Sequence, residues 1–92
     1  MIYENQSLLR LEMDTEVSLT GATVMRILYK KPDGTQGFWP VTLTSGTKLL
    51  YNVQDGDIDQ AGTWQFQSYV EIDGQTGFGR IVREKVSESI NV

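Results

Sequence analysis

The sequence predicts an all-β domain, a sandwich of about seven antiparallel strands. Apolar and polar side chains alternate along most of the chain, as in strands that bury one face. Clusters of Gly, Asp, Asn and Pro break this alternation at intervals of about ten residues, which is the usual spacing of turns in sandwiches. No segment repeats apolar residues at the helical period, so no helix is expected.

Length and composition limit the possible functions. The 92 residues fit a single domain, residues 1–92. The chain has no Cys and no His, which excludes a disulfide framework, a thiolate zinc site and the commonest general base. Its net charge is −4 and its basic residues are dispersed, so nucleic acid is not an expected partner. Neither a signal peptide nor a membrane-spanning segment is recognisable, so no membrane is expected as a partner.

Three strands are predicted in the first half of the chain, at residues 7–13, 23–30 and 36–43. Their inward-facing apolar residues are, strand by strand, Leu9, Leu11 and Met13; Met25, Ile27 and Tyr29; and Trp39, Val41 and Leu43. The turn Lys31-Pro32-Asp33-Gly34-Thr35 joins the last two strands as a hairpin. Because Pro40 cannot donate a ladder hydrogen bond, the strand at residues 36–43 is expected at a sheet edge.

Three more strands are predicted in the second half, at residues 48–53, 62–72 and 78–90. Their inward-facing residues are Leu49, Tyr51 and Val53; Trp64, Phe66, Val70 and Ile72; and Val82, Val86 and Ile90. A brief pairing at residues 17–19 would make a seventh strand. Gly79 predicts a kink in the last strand, since Gly inside a strand often marks a bulge.

The core is expected to consist mainly of aromatic and branched side chains, because large aromatic rings bury the most area in a small domain. The predicted structural core is Met25, Ile27, Tyr29, Trp39, Val41, Tyr51, Trp64, Phe66 and Val70.

One segment predicts a particular kind of sandwich. In immunoglobulin-like domains, a Tyr near the start of a late strand bonds back to the preceding turn and stands two residues before a core position. The segment from Asp59 to Phe66 resembles this pattern, with Trp64 in the place of the Tyr and Phe66 in the core. The spacing from Asp59 is one residue longer than usual. The alternative interpretation is an ordinary strand opening with two buried aromatic rings. We expect an immunoglobulin-like β-sandwich.

Several motifs resemble, in order and spacing, those of small phage and prophage proteins with an immunoglobulin-like fold. The layout is similar to that of the N-terminal domain of phage baseplate upper proteins, and the similarity covers residues 17–72. It is carried by four segments: Leu19-Thr20-Gly21-Ala22, the stretch from Ile27 to Thr35 that ends in Lys31-Pro32-Asp33-Gly34-Thr35, Gly37-Phe38-Trp39-Pro40-Val41, and the stretch from Asp57 to Val70 that contains Ala61-Gly62-Thr63-Trp64-Gln65-Phe66. The resemblance implies a non-catalytic virion protein, made in the bacterial host cytoplasm, whose partners are other phage structural proteins, copies of itself, or both.

The sequence offers little that could support catalysis or bind a cofactor. Asp55, Asp57 and Asp59 stand at alternate positions, and such oxygen ligands suit Ca²⁺. An EF-hand counted from Asp55 would need Glu where Phe66 stands, so a solvated acidic loop is the favoured interpretation. No Ser has a His partner, and we expect neither catalytic residues nor a cofactor.

The aromatic residues exceed what one buried face needs. Phe38 and Tyr69 are therefore candidates for an interaction surface, and the edge strand at residues 36–43 is a candidate for β-edge pairing. Two alternatives to a phage assembly module stay open. One is a carbohydrate-binding or adhesion module that uses exposed aromatic rings, with calcium at the acidic loop. The other is an interaction domain without any connection to phages.

Overall fold

The computed structural model describes residues 2–90, and within that range the chain is all β, without a helix and so without one that could cross a membrane. The strands of these residues are β1 (Ile2–Tyr3), β2 (Arg10–Asp14), β3 (Ala22–Lys30), β4 (Gln36–Pro40), β5 (Leu43–Ser45), β6 (Lys48–Asn52), β7 (Gly62–Ile72), β8 (Gln75–Phe78) and β9 (Val82–Ser87).

These strands form two sheets. The large sheet has the order β1-β9-β7-β3-β4, with β8 also paired to β7, and the small sheet has the order β2-β6-β5. β1 runs parallel to β9, so the expectation of antiparallel strands alone is wrong at this pair. The other pairs are antiparallel. β1 and β5 are two and three residues long, too short for alternation to reveal them.

The core lies between the two sheets. Its buried apolar residues are Ile2, Leu19, Ile27, Trp39, Val41, Leu49, Val53, Ile58, Trp64, Phe66, Val70 and Val86. Met25, Tyr29 and Tyr51, which were expected in the core, are partly buried and pack against it. The rings of Trp39 and Tyr51 stack across the two sheets with 5.0 Å between centroids and an interplanar angle of 8°. This stack fixes how the sheets face each other.

The predicted pairing at residues 17–19 is wrong, because these residues belong to the connection between β2 and β3 and form no strand. Alternation fails at two further places. Leu43 was expected to point inward with Trp39, but it is 44% exposed because β4 ends at Pro40 and the chain crosses to β5 in the small sheet. The predicted strand at residues 78–90 divides into β8 and β9, and Ile90, which follows β9, is 90% exposed.

Gly79 causes this division of the last predicted strand. Its N–H donates to the carbonyl of Ser68 at 3.0 Å, and a Cβ at this position would overlap Ser68 Oγ. β7 therefore pairs with β9 along its first half and with β8 along its second half. The irregularity at Gly79 is the kink that the sequence predicts.

The start of β7 carries the corner-like hydrogen bond. Trp64 is fully buried, and its indole N–H donates to the carbonyl of Gln60 at 2.9 Å. An indole thus makes the backward bond that a phenol makes in a tyrosine corner. Trp64 and Phe66 are both buried, as each interpretation of this segment expects.

Two turns distant in sequence meet at this corner. The ammonium of Lys31 lies 2.9 Å from Asp59 Oδ2, and the side-chain amide of Gln60 donates to Asp33 Oδ2 at 2.9 Å. We call these four residues the corner clamp. The hydrogen bond to Asp59 raises the pKa of Lys31, whereas the pKa of Asp33 is lowered first by the backbone N–H of Thr35 and then by Gln60. The clamp joins the β3–β4 turn to the loop before β7.

Candidate interaction surface

The outer face of the large sheet carries a cluster of aromatic side chains. In antiparallel pairs, residues directly opposite each other share a face. Tyr69 of β7 stands opposite Arg26 of β3 and opposite Phe78 of β8, and all three point away from the core. Phe38 of β4 lies on the same face, opposite Leu28. Arg26, Phe38, Tyr69 and Phe78 together are called the outer patch.

The members of the outer patch touch one another. The guanidinium carbon of Arg26 is 4.2 Å from the ring centroid of Phe38 and 5.7 Å from that of Tyr69. The rings of Tyr69 and Phe78 meet edge to face at 5.3 Å and 74°. Phe38 is 47% exposed and Phe78 is 63% exposed. The patch is thus a continuous row across four strands, held by cation–π and aromatic contacts but open to solvent.

Phe38 and Tyr69, the two interaction candidates expected from the sequence, are brought into one patch by the structure. The sequence analysis missed Arg26 and Phe78. Arg26 could have been found because it lies between the inward-facing Met25 and Ile27 and must therefore point outward. Phe78 could be placed only once the register of the β7–β8 hairpin was known.

A shallow groove adjoins the outer patch on the same face. Its volume is about 480 Å³, and its apolar wall includes Leu28, Phe38 and Ile81. Gln65 and Gln67 of β7 provide polar groups along it. Protein interfaces usually have an apolar centre and a polar rim, and this groove offers both kinds of surface.

The outer face is basic although the chain as a whole is acidic. Among the strand residues of the large sheet, the register places four basic side chains on this face, namely Arg26, Lys30, Arg83 and Lys85. The single acidic side chain among those strand residues on this face is Glu71, which accepts a hydrogen bond from the Tyr69 hydroxyl at 2.9 Å. Since the net charge of the chain is −4, its charges are unevenly distributed.

Two of the three aspartates proposed as calcium ligands, Asp57 and Asp59, are engaged in other contacts. Asp57 Oδ2 accepts from the Tyr51 hydroxyl at 2.6 Å and from the Gln54 N–H at 2.7 Å, whereas Asp59 pairs with Lys31. Within residues 2–90 there is no group of three or more carboxylates that could hold a metal ion. Asp57 fastens the loop to Tyr51 of β6, and Asp59 fastens it to Lys31 of the corner clamp.

Tyr51 is the most perturbed titratable group of this region. Burial raises the pKa of Tyr51 above its usual value of 10.0, and the neighbouring carboxylate of Asp57 raises it further. The phenol therefore stays neutral and donates its hydrogen bond to Asp57. Tyr51 thus connects the Trp39 ring of the large sheet with Asp57 of the acidic loop, which indicates a structural role.

Comparisons with protein-family models, with curated proteins and with solved structures found no match for this chain.

Proposed function

We propose that this chain is an immunoglobulin-like structural or assembly module of a tailed bacteriophage or prophage, which acts without catalysis through protein–protein contacts. Its place would be in or near the tail, the baseplate or the head. The single observation that carries the contact function is the outer patch, an exposed aromatic row on a basic sheet face.

The strand order supports the immunoglobulin-like part of the proposal. The order β9-β7-β3-β4 corresponds to G, F, C and C′ of immunoglobulin-like sandwiches, and β2-β6-β5 corresponds to B, E and D. The corner hydrogen bond from Trp64 to Gln60 stands at the start of the strand that corresponds to F.

The phage part of the proposal rests on the resemblance of four motifs to phage proteins, and the corner clamp joins two of these motifs in space. The Lys31-Pro32-Asp33-Gly34 turn and the segment before β7 lie far apart in sequence, yet they are joined by the Lys31–Asp59 and Gln60–Asp33 contacts. Two of the four segments that carry the resemblance are therefore joined directly in the fold.

The basic charge of the outer face indicates what kind of partner surface would bind there. Electrostatic complementarity favours an acidic partner, and the aromatic row favours one with an apolar centre. We infer that the outer patch docks on an acidic, partly apolar surface of another structural protein.

The outer patch suits a protein better than a sugar. A sugar-stacking platform needs an open, flat ring face, but Arg26 covers one face of Phe38 and Phe78 meets Tyr69 on edge. The calcium that an adhesion module could use also has no cluster of ligands within residues 2–90.

Site-specific photocrosslinking tests the proposal. A benzophenone side chain at position 78 is expected to crosslink to one structural protein in particles or assembly intermediates purified after induction of the encoding phage. A benzophenone at position 8 is the control, because Leu8 is 95% exposed and lies outside the patch. Crosslinks from both positions alike, or absence of the chain from particles and intermediates, would contradict the proposal. Glycan-array binding that Phe38→Ala abolishes would favour the carbohydrate alternative.

A further inference from the structure

The two sheets end in edges of different quality. In the large sheet, β1 has two residues, β8 has four and contains Gly77, and β4 contains Gly37 and Pro40. In the small sheet, β5 has three residues. β2 has five residues without Pro or Gly, and it pairs with β6 in continuous register. Short length and Pro are common means by which proteins blunt sheet edges, and β2 has neither. Its edge is guarded instead by the charges of Arg10, Glu12 and Asp14, which limit the kind of strand that can pair with it.

Pro40 illustrates how the edge of β4 is blunted. The N–H of Val41 donates to the carbonyl of Met25 at 3.0 Å, so residues 39 and 41 direct their backbone groups toward β3. By alternation, the backbone of Pro40 faces the free edge, where its missing N–H costs nothing and leaves a gap for any added strand. The edge strand at residues 36–43, the sequence-based candidate for pairing, is thus interrupted at its exposed side.

β2 presents a complete set of backbone groups. The N–H of Val53 donates to the carbonyl of Leu9 at 2.9 Å, and the N–H of Thr15 donates to the carbonyl of Thr47 at 2.8 Å. In an antiparallel pair, bonded and non-bonded positions alternate. The N–H and C=O groups of Arg10, Glu12 and Asp14 therefore point away from β6, toward an edge on which no other strand pairs with β2 within residues 2–90.

An apolar groove runs along this same edge. Its volume is about 450 Å³, and it lies between β2 and the first part of β9. Leu11 and Met13 line it from the small sheet, while Phe66 and Val82 line it from the large sheet. Val82 points toward the core side, opposite the buried Phe66, yet it is 39% exposed. The sandwich is therefore open along β2, and apolar side chains could enter there.

The charges around the groove indicate what could enter it. Its acidic side chains are Glu12, Asp14, Glu16 and Glu84, and its basic ones are Arg10 and Arg80. Arg10 is already engaged, since its Nε donates to the side-chain oxygen of Asn52 at 3.0 Å. The excess of carboxylates favours a basic occupant over an acidic one.

We propose that β2 accepts an extended strand from a partner protein, with apolar residues at every second position and basic residues between them. Main-chain hydrogen bonds to Arg10, Glu12 and Asp14 would provide affinity, and the groove would select the side chains, as in strand addition to other sheet edges. This inference rests on the proposed assembly function, but it concerns a different face from the outer patch.

The test uses the peptide Lys-Val-Lys-Val-Lys-Val-Lys with blocked ends and the ¹⁵N-labelled chain. We expect the amide resonances of Arg10, Glu12 and Asp14 to shift on titration, and these amides to become protected from hydrogen exchange. The matched peptide Glu-Val-Glu-Val-Glu-Val-Glu should bind at least about tenfold more weakly, because it meets the carboxylates of the groove.

Two variants at position 12 separate the contribution of the backbone N–H from that of the side-chain charge. Glu12→Pro removes an N–H that β6 does not use and should weaken binding of the basic peptide by about tenfold, because it leaves the same gap that Pro40 leaves on β4. Glu12→Ala keeps the N–H and should weaken binding by only a few fold. Spectra of both variants without peptide verify that they are folded.

Three outcomes would overturn the inference. They are shifts confined to β9 or to the outer patch, equal binding of the two peptides, and unchanged affinity in a folded Glu12→Pro variant. None of these outcomes affects crosslinking from position 78, which lies on the other face of the large sheet, so failure of this inference is distinguishable from failure of the proposed function.

Discussion

At the scale of single residues, the aromatic core depends on a glycine. Gly37 stands opposite Tyr29 in the β3–β4 pair, and a Cβ at this position would lie 2.6 Å from Tyr29 Cζ. Because Gly37 has no side chain, the Tyr29 ring lies across the neighbouring strand. From there it contacts Trp39 with 4.8 Å and Trp64 with 5.8 Å between ring centroids.

Gly37→Ala is therefore expected to destabilise the domain by about 1–3 kcal/mol, because the Tyr29 ring must leave its place against both tryptophans. Urea denaturation followed by tryptophan fluorescence measures the change in the free energy of unfolding. Gln36→Ala, at an exposed position of the same strand, is the control and should stay within about 0.5 kcal/mol of the parent chain. Equal stability of Gly37→Ala and the parent chain would show that the Tyr29 ring is not held in this way.

The raised pKa of Tyr51 predicts how the stability of the domain changes at alkaline pH. The pKa of Tyr51 is raised in the folded state, first by burial and then by Asp57. Its contribution to stability is thus fully present below the ordinary pKa of 10.0 and is lost as the pH rises through the folded value. Above pH 10.0 the melting temperature should fall, and it should fall less steeply in Tyr51→Phe. Part of this fall should remain in Tyr51→Phe, because the pKa of Lys31 is also raised in the folded state.

Asp57→Asn separates the two causes of the Tyr51 shift. Since burial is the larger cause, this variant should keep most of the alkaline slope of the parent chain. The measurement is the melting temperature by circular dichroism across the alkaline range. The same slope in the parent chain and in Tyr51→Phe would contradict the assignment to Tyr51.

At the scale of strands and turns, the corner clamp couples two segments that are separate in sequence. A double-mutant cycle of Lys31→Ala and Asp59→Ala should give a favourable coupling energy of about 0.5–1 kcal/mol, since the Lys31–Asp59 pair is partly exposed. Added salt should reduce this coupling. Lys30, which points to the outer face, provides the control: the cycle of Lys30→Ala with Asp59→Ala should show no coupling. A Lys31–Asp59 coupling no larger than this control would mean that the clamp does not stabilise the domain.

Sequence alternation identified the inward faces of β3, β6 and β7, because the period of two is a local property of a strand. It failed at Leu43, where the chain changes sheets, and at Ile90, which lies beyond the end of β9. The parallel pairing of β1 with β9 depends on a partner far along the chain, which no local pattern reveals.

The sequence likewise predicted only two of the four residues of the candidate surface. An excess of aromatic residues identified Phe38 and Tyr69, but the contacts with Arg26 and Phe78 depend on the register between strands. The exposed edge of β2 was missed for a related reason. Which backbone groups of a strand are free depends on its neighbours, and these follow from the topology of the whole sheet.

At the scale of the whole molecule, β7 is the strand around which the domain is built. It pairs with β3 on one side from Gln65 to Ile72, and with β9 and then β8 on the other side. Its side chains Trp64, Phe66 and Val70 are buried in the core. β7 therefore cannot separate from its neighbours without opening the core.

Amide hydrogen exchange should reflect this arrangement. The most protected amides of β7 should exchange with a free energy equal to that of global unfolding, whereas amides of the short strands β1 and β5 should exchange through local opening at lower free energy. Nuclear magnetic resonance with a denaturant series measures both classes. Exchange throughout β7 at a free energy well below that of global unfolding would contradict the central role of this strand.

The parallel pairing of Ile2 with Val86 and of Tyr3 with Ser87 has a consequence for folding kinetics. The β3–β4 hairpin can form from neighbouring residues, and β9 is separated from β7 only by the short segment that contains β8. In contrast, β1 must find β9 across nearly the whole described chain, since Ile2 pairs with Val86. Closing such loops costs entropy before the contacts repay it, and domains dominated by distant pairings fold in milliseconds to seconds. We therefore expect the large sheet to close late and slowly, with the pairing of β1 and β9 forming last.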